Sequence, residues 1–221
     1  MDRTRTMKRR RIILATLCLT TFFLVASCRN GSPYRTGDLV FVAGIDANAM
    51  DHAIMGSTGA MVHVGIIDVE GDSVFVIDVA PKTGVSRRPF HQFAEAQQYG
   101  SEEIPTMTVM RLKNRRGVKS FVAKAKTLYG AAYDFTFLPD NGLYYCSELV
   151  HDCYVRDGEP VFKAYPMDFR NADGEYDPFW VNLFASEGME IPQGVFGTNP
   201  DALFHSDLLK HVETRQGTSP Q

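Results

Sequence analysis

Residues 61–80 read MVHVGIIDVEGDSVFVIDVA, and this stretch decides the fold. Two runs rich in β-branched residues, Met61 to Val69 and Ser73 to Ala80, flank the turn-forming Glu70-Gly71-Asp72. That is the pattern of a β-hairpin. In an extended first run, His63 projects to the same face as Met61, Gly65 and Ile67. Gly65 removes bulk beside the imidazole on that face. Asp78 interrupts Val74 to Ala80, where a carboxylate is costly unless paired. With the turn centred near Gly71, residues whose numbers sum to about 141 or 142 face one another. Asp78 is then expected opposite His63 or its immediate neighbour, within reach of a hydrogen bond. A carboxylate there fixes the tautomer of His63 and stabilises its imidazolium. The alternative is a sheet-edge Asp that faces solvent.

Outward from the hairpin, Leu39-Val40-Phe41-Val42 follows the turn pair Gly37-Asp38, and Thr106 to Leu112 supplies a fourth strand. The period then changes. Val118, Phe121, Val122, Ala125, Leu128 and Tyr129 recur at three- and four-residue spacing, which predicts an amphipathic helix from about Gly117 to Gly130. A loop with Pro139-Asp140-Asn141-Gly142 leads to a second helix near Cys146 to Tyr154. From Gly158 to Pro200 no clear period is visible, and further strand with long ordered loops walling a cleft is expected. No internal repeat, heptad run or low-complexity tract interrupts what reads as one domain.

Cys146 begins that second helix. The unpaired N–H groups and positive dipole end of a helix start stabilise a thiolate, and the same N–H groups can hold an oxyanion. The competing reading is a small buried hydrophobe, which suits Cys153 better, two turns into the helix. Seven residues of helix separate the two sulfurs by about 10 Å, too far for a disulfide. The other histidines, His52, His91, His151, His205 and His211, fall in loops or on exposed helix faces; only His63 is embedded in an apolar strand.

The 221 residues are 44% hydrophobic and 22% charged, with 11 Pro and 18 Gly. That excludes collagen-like, low-complexity and disordered chains. A formal net charge of −3 gives no case for a nucleic-acid partner. The charge is uneven. Residues 1–27 hold six of the 23 basic residues against Asp2, leaving 17 basic and 25 acidic residues in the remainder. The basic block, the apolar run from Ile12 to Ala26 and the small residues before Cys28 form an export signal. Val25-Ala26-Ser27-Cys28 resembles the bacterial lipobox, which implies cleavage before Cys28 and lipidation of its thiol. Cys18 lies in the discarded run. The expected organisation is a lipoprotein signal peptide over 1–27, a tether over 28–35, one catalytic domain over 36–213 and a polar tail over 214–221. Localisation is then the bacterial cell envelope, with a membrane anchor at Cys28.

Cys146, His63 and Asp78 make a cysteine–histidine–aspartate constellation. Gly37-Asp38-Leu39-Val40-Phe41, His63-Val64-Gly65-Ile66-Ile67 and Tyr145-Cys146-Ser147-Glu148-Leu149-Val150 resemble the motifs of NlpC-type papain-like cysteine peptidases. The His strand precedes the Cys helix, an order similar to the circularly permuted branch of YiiX/YaeF-like hydrolases and, more remotely, to lecithin:retinol acyltransferases. The resemblance implies an α+β papain-like fold, an antiparallel sheet or barrel packed against the nucleophile-bearing helix. It maps the nucleophile onto Cys146, the base onto His63 and the orienting group onto Asp78, where many permuted relatives carry Glu. Tyr133-Asp134-Phe135 resembles the pre-nucleophile segment, so Tyr133 is a candidate for positioning substrate, against an equal case for a core role. Glu148 reads as structural. No cofactor and no metal are expected. The reading is a lipid-anchored cysteine hydrolase of amide bonds, in cell-wall peptides. The alternatives are a lipid or acyl-ester hydrolase or acyltransferase, or a non-catalytic binding lipoprotein. A glycosidase would need two carboxylates across a cleft, and Glu102-Glu103 do not supply them.

Overall fold

The structure, a computed structural model, describes residues 32–216. The expected signal peptide, the lipidation site Cys28 and the first half of the tether lie outside the described residues. The elements in chain order are β1 (Leu39–Ala43), α1 (Ala49–Ser57), β2 (Met61–Glu70), β3 (Ser73–Ala80), β4 (Gly84–Pro89), α2 (Phe90–Ala96), β5 (Met107–Leu112), α3 (Val118–Thr127) and α4 (Cys146–Cys153). They continue with β6 (Val155–Arg156), β7 (Glu159–Pro160), β8 (Tyr165–Pro166), α5 (Pro178–Ser186), β9 (Phe196–Gly197), α6 (Pro200–Phe204) and β10 (Leu209–Arg215). Six strands form one antiparallel sheet in the order β10-β5-β1-β2-β3-β4, with β6–β7 and β8–β9 as short ribbons.

Strand alternation sends side chains to two different cores. Leu39, Phe41, Val64, Ile66, Ile77 and Val79 meet the helices α3 and α4 on one face. Val40, Val42, Ile67 and Val76 meet Phe90 and Phe93 of α2 on the other. The predicted helix over 117–130 is α3, which buries Val118, Phe121, Val122 and Ala125, whereas Tyr129 lies exposed beyond its end.

The hairpin forms as predicted, but its register differs. Gly71 adopts φ +57° and shares a two-residue turn with Asp72, so Glu70 pairs with Ser73 and Ile66 with Ile77. The turn centre therefore falls between residues 71 and 72. Continued by one residue, that register sets Asp78 against Gly65, not against His63 or its neighbour. A second difference is a bulge: Val42 pairs with His63 but Ala43 with Met61. One residue is skipped, so Met61 packs with the α4 side while His63 and Ile67 share the other face.

The expected polar tail is shorter than its composition implied. Thr214 and Arg215 pair with Thr108 and Met107 in β10, which closes one edge of the sheet. The region from 158 to 200, expected to be strand and loop, also holds α5. Asp177 caps it by accepting the Phe179 N–H at 2.7 Å, and Pro178 stands in its first turn. His211, expected in a loop or on a helix, lies in β10.

The Gly37-Asp38 pair proves to be an anchor. Gly37 holds φ +81°, and a Cβ there would collide with Val118. Asp38 is fully buried and accepts from Arg111 at 2.6 and 2.7 Å and from Arg115 at 3.0 Å, tying β1 to β5 and to the entry of α3.

Candidate active site

Cys146 is the first residue of α4 and is buried. Tyr145 before it is extended, at φ −102° and ψ 169°. Its N–H donates to the Glu148 carboxylate at 3.4 Å, a contact that closes the helix start. Burial pushes the Glu148 carboxyl up to about 8, and its part is structural, as expected. Leu149, Val150 and Cys153 bury the other side of α4 in the sheet core. The first-turn N–H groups at Cys146 and Ser147 have no acceptor earlier in the helix, so they face whatever approaches the thiol.

His63 lies on β2 with its ring stacked on Phe93 of α2, centroids 5.8 Å apart. Its Nε2–H donates to Asp78 Oδ2 at 3.0 Å. That leaves Nδ1 for Cys146, whose charge acts on the imidazole. Burial pulls the imidazolium down, but the Cys146 and Asp78 charges and hydrogen bonds outweigh it and hold the pKa at about 10. His63 thus sits as a stabilised imidazolium between Cys146 and the Asp78 carboxylate.

The register explains how His63 and Asp78 touch. They are diagonal neighbours across Gly65, whose added Cβ would collide with Val76 and lie 3.5 Å from Asp78 Cβ. The bulk removed at Gly65 therefore makes room for the partner strand, not for substrate. Asp78 is fully buried, and it has a second partner that sequence reasoning missed. Arg88 on β4 donates Nη2–H to both carboxylate oxygens, at 2.9 and 3.0 Å, and Nε–H to Oδ1 at 3.2 Å. A bidentate guanidinium fixes the carboxylate plane and balances its charge. The pairing of β4 with β3 is what brings Arg88 to Asp78.

Two more groups near the trio were not singled out in the sequence. Asp51 on α1 is buried, its carboxyl pushed up by burial and drawn back by Asn48 and by the His63 charge. Tyr99, in a left-handed conformation at φ +48°, has its phenol pushed up to about 12 by burial and by the charges of Asp51, Cys146 and Asp78. The left-handed turn that brings Tyr99 to the site carries no glycine or asparagine signal at that position.

Tyr133 does come to the nucleophile. It bridges to Tyr144 and lines a recess beside Cys146, and burial together with the Cys146 charge pushes its phenol well up. The segment after it is ordered by the fully buried Asp134, which accepts from the Thr136 N–H at 2.8 Å, the Thr136 hydroxyl at 2.6 Å and the Leu138 N–H at 3.1 Å. This loop forces Phe137 into φ +54°, strained for an aromatic residue, and aims it at the recess wall. Cys153, in contrast, is buried in the sheet core with its thiol pushed up to about 12 by burial.

A sheet-borne histidine, an orienting carboxylate and a cysteine at a helix start define a papain-like cysteine hydrolase on an α+β scaffold. The chain belongs to the permuted papain-like amidase enzyme family, YaeF/YiiX, C92, whose model matches residues 33–213. Among solved structures, that of the metalloprotein yiiX from Escherichia coli O157:H7 is similar in fold, with a TM-score of 0.67 and 21% identity over 82% of this chain and 98% of that one. No curated protein matches. Among the described residues no three His, Cys, Asp or Glu side chains gather as metal ligands, and both Asp78 oxygens are committed to His63 and Arg88.

Proposed function

We propose that the protein cleaves amide bonds through an acyl-thioester on Cys146, with His63 as the proton carrier and Asp78 as its orienting group. The observation that carries this reading is the oriented imidazole: Nε2 is held by Asp78 at 3.0 Å while the charge of Cys146 acts on the same ring. The thiolate attacks the carbonyl carbon and the helix-start N–H groups hold the oxyanion. His63 then gives its proton to the leaving amine and the C–N bond breaks. Water attacks the thioester with His63 as base, releasing the carboxylic acid and regenerating the thiolate. Trapping supports or sinks this directly. With a slow amide substrate, intact-mass spectrometry shows an acyl adduct that hydroxylamine removes, and Cys146→Ala shows none. An active Cys146→Ala protein, or an adduct on another residue, ends the proposal.

The substrate belongs, on this reading, to peptides of the cell envelope, and the protein is an exported lipoprotein anchored through Cys28. The basic block, apolar run and Val25-Ala26-Ser27-Cys28 support that placement. The apolar recess beside Cys146 favours a second reading, an acyl-ester or lipid substrate.

A further inference from the structure

Arg88 and its neighbour Arg87 leave β4 on opposite faces, as strand alternation requires. Arg87 donates to Asp68 at 2.7 Å, pairs with Glu70 at 3.0 Å and lies over the Phe75 ring. Arg88 commits both Nε–H and Nη2–H to Asp78, its one acceptor among the described residues, with 17% of its side chain exposed. It does not line the recess beside Cys146, so whatever it does for the reaction passes through the buried row. Asp78 Oδ2 is shared: it accepts from Arg88 Nη2–H and from His63 Nε2–H, each at 3.0 Å. Two cations thus meet on one oxygen. At the effective dielectric of a protein, like charges that close shift each other's titration by about 1–2 pH units.

The resting imidazolium is held by the charges of Cys146 and Asp78, against burial. Asp51 on α1 adds to that hold, while the Tyr99 phenol, pushed up to about 12, stays uncharged below that pH. The other neighbours are apolar: α2 presents the Phe93 ring and β1 pairs Val42 with His63. Once the sulfur carries an acyl group, the Cys146 charge is gone. The ring has then given its proton to the leaving group and has to stay neutral until it takes one from water. Asp78 and Asp51 draw a proton back onto it. Arg88 opposes them.

We propose that Arg88 is a positioning residue of the reaction, which fixes Asp78 in place and opposes the charge on His63, so that the ring is neutral when water attacks the acyl-thioester. The proposal rests on Cys146 being the nucleophile. In that step the water oxygen bonds to the acyl carbon and a water proton passes to His63 Nδ1. The C–S bond breaks, the acid leaves and the sulfur returns as thiolate. Asp78 and Arg88 therefore act on His63 with opposite signs: without Asp78 the ring loses its proton at lower pH, and without Arg88 at higher pH.

The test uses the full chain and p-nitrophenyl acetate, whose acetyl group is small and whose leaving group needs no proton. Acylation appears as a burst of nitrophenolate and deacylation as the steady rate that follows. Arg88→Gln is expected to keep the burst and to displace the rise of the steady rate with pH upward by about 1–2 pH units, so that on the acid side it is about 10–10²-fold slower and at the plateau native. kcat and KM fall together there, kcat/KM holds, and intact-mass spectrometry finds the acetyl adduct accumulating on Cys146. Arg88→Lys keeps the charge and returns the rise to its native pH. Arg88→Met, which fills the space without a charge, takes the place of Arg88→Gln should that variant fold poorly. A charge-removing variant with a native pH profile overturns the proposal. So does a profile displaced downward, or a rate lowered equally at every pH, which is what a purely structural role gives. These results leave the hydrolase reading standing. If the native protein shows no burst and no acetyl adduct on Cys146, the hydrolase reading itself falls and takes this proposal with it.

Discussion

Replacing Asp78 with Asn keeps the shape of the side chain and removes one charge from the centre of the site. The carboxylate touches His63 Nε2 at 3.0 Å and Arg88 at 2.9 to 3.2 Å, so the change acts on both neighbours. The imidazolium is the form that protonates the leaving amine, and it persists up to about pH 10. Activity in the native protein is therefore expected to hold into the alkaline range and to fall as pH passes about 10. Loss of an adjacent opposite charge lowers such a group by about 1–3 pH units, which brings the alkaline limb down to roughly pH 7–9. An amide can also hold the wrong tautomer of His63. Turnover near neutrality is expected to fall about 10²-fold, less than for a serine nucleophile, because a thiol depends less on its base.

The same change alters stability, with a definite sign. The folded His63 titrates above its usual 6.5, so its contribution is fully present below about pH 6.5 and is lost as pH rises through about 10. Removing Asp78 takes away part of that contribution, about 1–4 kcal/mol at 1.36 kcal/mol per unit, and flattens the fall. It also strands the Arg88 guanidinium, mostly buried, without its counter-charge, a cost of about 3–5 kcal/mol. The double variant Asp78→Asn, Arg88→Gln then recovers stability but not turnover. The assays are kcat/KM against pH on a chromogenic amide and urea melts at pH 6.5 and 10. An Asp78→Asn protein with full activity and an unmoved alkaline limb would falsify the assignment of Asp78 as the group that orients His63.

Three further outcomes are expected. Iodoacetamide near neutral pH alkylates Cys146 and spares Cys153, whose thiol is buried in the sheet core and pushed up to about 12; peptide mapping that finds both labelled alike counts against an activated Cys146. Gly65→Ala drives a methyl group into Val76 and against Asp78, costing about 1–3 kcal/mol and reducing turnover; adding Val76→Ala restores the melting temperature, and a lone Gly65→Ala with native stability and rate refutes the close approach. Mass spectrometry of the native protein from membranes shows a chain starting at a lipid-modified Cys28, and a retained Met1 or an unmodified Cys28 thiol sinks the anchor.

The residues that were legible in the sequence are those whose structure is set locally. Met61 to Val69 and Ser73 to Ala80 alternate with a period of two around a glycine turn, and they became β2 and β3 with the second run unchanged at both ends. Cys146 stood at a loop-to-helix junction, and the helix starts there. The short helices α1, α2 and α6 were not legible, because five to nine residues hold too few turns to show a period. α5 did carry a local signal. Asp177-Pro178 is a cap followed by a first-turn proline, and it was lost among the aromatic residues around it.

What the sequence concealed in the site is a matter of register. The expected pairing placed Asp78 across from His63 or its immediate neighbour, where a carboxylate and an imidazole would meet side by side. The two-residue turn shifts the strands so that Gly65 takes that place, and the contact becomes diagonal. A diagonal contact needs an empty position between its partners, which only glycine provides, and it leaves the far side of the carboxylate open to the next strand. Val76 pairs with Arg88 and Asp78 with Ser86, so Arg88 is diagonal to Asp78 in turn and fills that open side. His63, Asp78 and Arg88 thus form one row of alternating charge across β2, β3 and β4. The slip of one or two residues between the expected and the observed hairpin therefore changes how Asp78 meets His63, while the β3–β4 register brings Arg88 to its other side.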